Sequence, residues 1–379
     1  MTGLGPLFGE KAIVGPYVVQ YVVCAGVHIY LIGEIHKVKG RSDTEIDKTA
    51  VDQLRVYAQN QTRPVVCYCE SSPQHALYGL IEMEKEMHIG KKTNILQVAE
   101  SPLYGYIGYA AKNKLPNTEN VYADVRNFSP YDLYTLIMTP HIYMIERYGA
   151  IPTQQQRKNV RKWAKIAENA IVQHLSTRAE TKAFLLSLCL PGTDYPEWFV
   201  LLYQTINETP ERPPAPLRDL MNTLRESKPD LYARVVNHIR NAHGKWNVAH
   251  FSTAMKRVES MRITREEALV AEKNQLADGL FTELSAFLFD IFVIVDLLVR
   301  VGDGRLESGD TVAMFAGAKH TENITQFFKY QLGCDTYYKH DTTGAGNIPE
   351  GAATIGPLGF GNHAPTLLVA LKDKPKHRR

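Results

Sequence analysis

The chain has 379 residues, 44% of them hydrophobic and 22% charged, and a net charge of +3 at neutral pH. That length supplies one large domain or two ordinary ones with ample core material. The small charge, with no basic run except the tail from Lys372 to Arg379, gives no argument for nucleic acid, and no low-complexity tract suggests a disordered chain.

Residues 1–16 carry Gly3, Gly5, Pro6, Gly9 and Pro16 and read as an irregular lead-in. Their glycines lack the preceding strand and the following Gly-Lys-Ser/Thr that a phosphate-cradling loop requires. Met1 to Lys11 holds no basic region followed by an apolar core, so no secretory signal is expected and the chain reads as intracellular and cytoplasmic. Tyr17 to Val23 predicts a strand, and Ala25-Gly26 a tight turn into a second one, giving an antiparallel hairpin.

The second strand is the stretch around which the chain is organised. Val27 to Ile32 is an apolar, β-branched run that ends in Gly33-Glu34-Ile35-His36. A buried strand of this kind delivers polar side chains at its carboxyl end, where open α/β sheets place their chemistry. Three later stretches share the grammar: Val65 to Cys69 runs into Glu70, Val121 to Ala123 into Asp124 and Arg126, and Thr311 to Ala316 into Gly317-Ala318-Lys319-His320. Continuous apolar character suits parallel strands covered on both faces. Between them, helices are predicted from Asp43 or Thr44 to about Asn60, from Pro73 to about Met87, and from Pro130 to before Gly149; this alternation is the rhythm of a parallel sheet.

From Pro152 to about Val301 helical periods dominate, and Glu266 to Val301 reads as one long helix. Phe287 to Val301 is the most hydrophobic run, but Asp290, Asp296 and Arg300 interrupt it, so a buried helix is expected and no membrane span. After the strand at 311–316, Thr321 to Leu332 predicts a helix, Cys334 to Tyr338 a strand, 341–364 a long loop and Pro365 to Leu371 a last strand. The expected fold is α/β, a mostly parallel central sheet covered by helices with a large helical insertion. Residues 1–150 and 302–379 would form the two halves of the core and 151–301 the insertion or lid.

The five cysteines, Cys24, Cys67, Cys69, Cys189 and Cys334, are odd in number and lack metal-knuckle spacing. Cys67 and Cys69 would share one face of a strand about 6–7 Å apart, awkward for a disulfide, so buried free thiols are expected. His28, inside its strand, reads as a core or face residue, and Lys319 as solvated.

If the four strand ends are neighbours, Glu34, His36, Glu70, Asp124, Arg126 and His320 converge on one edge. Two imidazoles with three carboxylates suit a divalent ion. They equally suit acid/base chemistry without one. Each also has a structural reading: Glu70 can cap the helix begun by Ser71 and Ser72, and Asp124 with Arg126 can be an ion pair.

Gly-Glu-x-His after a first strand, Glu70 ending the next, Asp124-x-Arg126, and a late Gly-x-x-His before a helix together resemble the erythromycin-esterase, ChaN, TraB and TIKI superfamily. The resemblance covers about residues 27–126 and 310–332 and leaves the helical middle unmatched. It implies a hydrolase, a metal-dependent protease or an esterase, acting on a small-molecule or peptide ester or amide. It implies Glu34, His36, Glu70, Arg126 and His320 as catalytic residues, with His36, Glu70, Asp124 and His320 as ligands of a divalent metal ion such as Mn, Co or Zn. The alternative is a non-catalytic ligand-binding or assembly protein, haem or metal binding included, that keeps the fold.

Overall fold

A computed structural model describes residues 13–14, 18–34, 50–70, 115–123, 136, 143, 147, 153–175, 177–242, 283–334, 336–341 and 354–355. The chain divides into two compact units, one of residues 1–124 with 300–379 and the other of residues 125–299.

The first unit is built on a six-stranded sheet. Its strands are β2 (Val18–Cys24), β3 (Val27–Glu34), β4 (Val65–Cys69), β5 (Thr118–Tyr122), β6 (Thr311–Gly317) and β7 (Thr336–Asp341), in the spatial order β5-β4-β6-β3-β2-β7. The pairs β5–β4, β4–β6 and β6–β3 are parallel, and β2 is antiparallel to both β3 and β7. The expected mostly parallel sheet is therefore present. Its hairpin turns at Ala25 and Gly26, with φ of 53° and 81°, and Cys24 pairs Val27 across the closure. Two successive positive φ values match the right-handed twist of the flanking strands, which is why a short residue followed by glycine stands there.

Helices cover both faces. α1 (Ala50–Gln59) sends Val51, Leu54 and Ala58 into a core with Val19, Tyr30, Ile32, Cys67, Ala313 and Phe315. α8 (Ala318–Gln331) packs on β2, β3 and β6 with Ile324, Phe327 and Phe328 buried. Side chains alternate along a strand, and Gly33, which abuts α8, follows Ile32, which faces α1; the two helices thus lie on opposite faces. Covering on both faces is the physical reason that β6 reads TVAMFAG, apolar without alternation.

Several boundaries differ from the predicted ones. Ile13–Val14, placed in the irregular lead-in, is a short strand, β1, that pairs antiparallel with β8 (Thr354–Ile355) inside the expected long loop. Two-residue strands leave no periodicity to detect. The last sheet strand runs from Thr336 to Asp341 rather than from Cys334 to Tyr338. The helix after β6 starts at Ala318, three residues earlier than predicted, because Gly317 is at once the end of the strand and the N-cap. The predicted helix after Pro73 and the last strand from Pro365 lie outside the described residues.

In the second unit the described residues are helical or join helices: α2 (Gln154–His174), α3 (Arg178–Cys189), α4 (Glu197–Asn207), α5 (Pro216–Ser227) and α6 (Pro229–Ala242), then most of α7 (Glu283–Gly302). α2 and α3 each open on a capping box, Thr153 with Gln156 and Thr177 with Glu180. α7 buries nearly every described side chain from Phe287 to Arg300, as its composition predicts; residues 266–282 of the long predicted helix lie outside the described ones. Among the described residues no helix is long and apolar enough to cross a membrane. All five cysteines are buried free thiols.

Candidate functional site

The parallel register brings three strand ends side by side. Glu34 at the end of β3 pairs with Gly317 at the end of β6, and Cys69 at the end of β4 pairs with Phe315. One residue beyond β4, the amide of Glu70 still donates to the Phe315 carbonyl at 3.1 Å, which continues the ladder and fixes where its side chain starts. On the outer side, Cys69 pairs with Tyr122 and the Ala123 amide donates to the Cys69 carbonyl. The sheet thus presents one rim formed by the carboxyl ends of β5, β4, β6 and β3.

Two of the predicted site residues meet on that rim. Glu70 Oε1 lies 3.2 Å from His320 Nε2, and Glu70 Oε2 accepts a 2.6 Å hydrogen bond from the Gly317 amide. Both side chains are buried, Glu70 at 6% and His320 at 5% exposure. His320 is the third residue of α8 and sits in its first turn rather than in a loop before it. In a capping box the third helical residue would return its own carboxylate to the N-cap amide. Here that position is a histidine, and a carboxylate from the neighbouring strand takes the amide while also facing the imidazole. The positive end of the helix dipole favours this placement of Glu70.

Glu70 anchors the start of α8, contributed by a segment 247 residues away, at Gly317; the segment begun by Ser71 and Ser72 lies outside the described residues. Nothing local to Glu70 signals that partner. Gly317 itself, as an amide donor, carries no sequence signal beyond its place in Gly-x-x-His.

Gly33 also acquires a reason different from the expected one. Its φ is not in the left-handed region, so no turn requires it. A Cβ there would stand 2.6 Å from Val18 Cγ1, 2.8 Å from Ala318 Cα and 3.0 Å from Thr321 Cγ2. Glycine lets the start of α8 lie directly on β3, which sets the height of His320 above the sheet.

His36, Asp124 and Arg126 lie outside the described residues, and Glu34 is described through its backbone only. Among the described residues no group of three histidine, cysteine, aspartate or glutamate side chains is gathered as a metal site. The donors that are present, an imidazole and a carboxylate, are of a type that divalent Zn or Mn accepts, and a complete ligand set would need His36 or Asp124 in addition.

Two other residues complete the electrostatics of the sheet. Tyr122, partly exposed at the rim, has its phenol pushed above the usual value by burial and by the neighbouring Cys69 thiol. His28, far down β3 from the rim, stacks on Tyr21, shares a 2.5 Å hydrogen bond between its Nδ1 and that phenol oxygen, and is held below its ordinary value by burial. It is a face residue, as its place within the strand predicts. Lys319 is exposed and pairs loosely with Glu322 at 3.6 Å.

Comparisons with protein-family models, curated proteins and solved structures find no match. The chemistry open to this rim is therefore what its own described residues supply: a buried imidazole beside a buried carboxylate at the edge of a parallel sheet.

Proposed function

We propose that the chain is a hydrolase of an ester or amide bond, of the erythromycin-esterase and TIKI-like type, acting on a small molecule or peptide at the carboxyl rim of its sheet. The observation that carries the reading is the buried contact between Glu70 and His320 at 3.2 Å. A histidine backed by a carboxylate is a general base held in one orientation, worth about 10²–10⁴-fold in rate.

In this reading His320 or His36 takes the proton of the attacking water, and Arg126 stabilises negative charge that develops on the substrate oxygen. Glu34, whose backbone pairs with Gly317, is read as a further carboxylate of the site. A divalent ion, Mn, Co or Zn, would be held by His36, Glu70, Asp124 and His320, and would supply a water acidified toward neutrality. The helices between β5 and β6 are read as one insertion into the α/β chain.

The Gly317 amide bond favours a second reading. A carboxylate that anchors a helix start stabilises the fold whether or not catalysis occurs, so the same pair would serve a non-catalytic binding protein. Turnover separates the two. Purified protein, with and without added Mn²⁺, Co²⁺ or Zn²⁺, is assayed on p-nitrophenyl esters and a fluorogenic peptide set beside His36→Ala and His320→Gln. Hydrolysis by the wild type that falls about 100-fold or more in a folded His320→Gln supports the hydrolase. No turnover above buffer with any metal removes it and leaves the binding protein.

A further inference from the structure

Resting on the reading of this rim as the working site, we infer that the β1–β8 ladder is a clasp at the rim whose opening loosens the first turn of α8 and admits solvent and ligand to it. The ladder closes a second time what another has closed already. β2 and β7 pair antiparallel as far as Val18 and Asp341, and the same two stretches of chain meet again where Val14 pairs with Thr354 and Ile13 with Ile355. Between the two ladders lie three residues on one side, 15–17, and twelve on the other, 342–353. Val18 pairs with Gly33, one residue before β3 ends at Glu34, so the chain that precedes β2 leaves the sheet at the carboxyl rim. From Val18 to Val14 the backbone spans at most about 14 Å. The Gly317 amide stands about two strand spacings from Val18, roughly 10 Å. Chain length alone therefore keeps the clasp within reach of the rim.

A ladder of two residue pairs is marginal by itself and belongs to the parts of a fold that open first. Its root is fixed. Val18 is buried, and its Cγ1 stands 2.6 Å from the point where a Cβ on Gly33 would lie, with Ala318 Cα 2.8 Å from that same point. Ala318 opens α8, directly after the Gly317 amide that donates to Glu70 and two residues before His320. The strand residue from which the clasp hangs thus sits beside the backbone that carries the site, in a core too closely packed to absorb a shift at Val18 without passing it on. With the clasp closed, Val18 and the first turn of α8 are held together. With it open, that turn is free to lift from the sheet edge.

The test needs no substrate. Ile13→Cys/Ile355→Cys is made in the full-length protein, whose five native thiols are buried. Partners in an antiparallel pair have Cα atoms about 4.5–5.5 Å apart, within the range of a disulfide. Val14→Cys/Ile355→Cys is the control, because neighbouring positions on a strand project to opposite faces. Under oxidised glutathione the first pair should close about tenfold faster than the control or more. Amide hydrogen exchange over residues 317–321 is then followed by mass spectrometry, with the clasp locked and again after dithiothreitol. Locking should slow exchange there by about tenfold and leave a peptide from α4 unchanged. Equal crosslinking of the two pairs, no crosslinking of either, or exchange over 317–321 that is the same locked and reduced overturns the inference. Exchange is read whether or not an ester or peptide is hydrolysed, so a clasp without turnover removes the hydrolase alone, and turnover without a clasp removes this inference alone.

Discussion

Gly33→Ala is the substitution that most directly probes how the sheet and α8 are joined. The added methyl carbon would lie 2.6 Å from Val18 Cγ1, 2.8 Å from Ala318 Cα and 3.0 Å from Thr321 Cγ2. Carbon atoms settle at about 3.5–4.0 Å. Thr321 Cγ2 can yield by a small rotation, and Val18 is a stiff β-branched side chain in a fully buried strand. Ala318 Cα is backbone, so the first turn of α8 must rise by roughly 0.7 Å to restore contact distance. The Gly317 amide sits one residue before it, and its 2.6 Å bond to Glu70 lengthens with the same movement. Overpacking of this kind costs about 1–3 kcal/mol. Weakening a charge-assisted bond adds about 1 kcal/mol, for a total of about 2–4 kcal/mol. Urea unfolding should show a lower midpoint at unchanged slope. Adding Val18→Ala should not restore the midpoint, because the clash with backbone remains. A Gly33→Ala protein within about 0.5 kcal/mol of the wild type, at equal slope, would refute the close packing on which the position of His320 depends.

Glu70→Ala and His320→Ala should each destabilise by about 1–3 kcal/mol, since each removes one side of a buried polar contact. In a double-mutant cycle their effects should fall short of additivity by about 1 kcal/mol or more, and simple additivity would mean that the two groups do not interact. Tyr57→Phe removes the 2.8 Å hydrogen bond from α1 to Thr311 at the start of β6, and thermal or urea unfolding should register a loss of about 1 kcal/mol. Burial holds His238 neutral, its pKa pushed down from 6.5 to about 4, with its ring against Phe287. Between those values the unfolded chain takes up a proton that the folded one refuses, so stability is full above about pH 6.5 and falls as the pH drops toward about 4. The gap corresponds to about 3 kcal/mol, reduced to about 2 kcal/mol by the partial exposure of the ring. Unfolding free energies measured from pH 7 to pH 4.5 should decline accordingly, and His238→Leu should flatten that decline; an unchanged slope would assign the acid sensitivity to other groups.

Local chemistry settled much of this architecture before any coordinates. Largely apolar runs at 27–32, 65–69 and 311–316 suit strands covered on both sides, and an ionisable residue follows within three positions of the end of each. Ala25-Gly26 dictates the hairpin because its two positive φ values are tolerated there. Such signals reside in a few adjacent residues, and the strand ends that carry Glu34, Glu70 and His320 were legible from them alone. The order of strands was not legible, because buried apolar strands offer one another nearly interchangeable faces and backbone ladders, and the choice among pairings depends on the packing of the whole sheet. Only the tertiary structure inserts β6 between β3 and β4. That insertion makes Glu70 the acceptor for the Gly317 amide and the neighbour of His320. The reason for Gly33 is equally non-local: its missing side chain matters because a helix from the far end of the chain is laid across it.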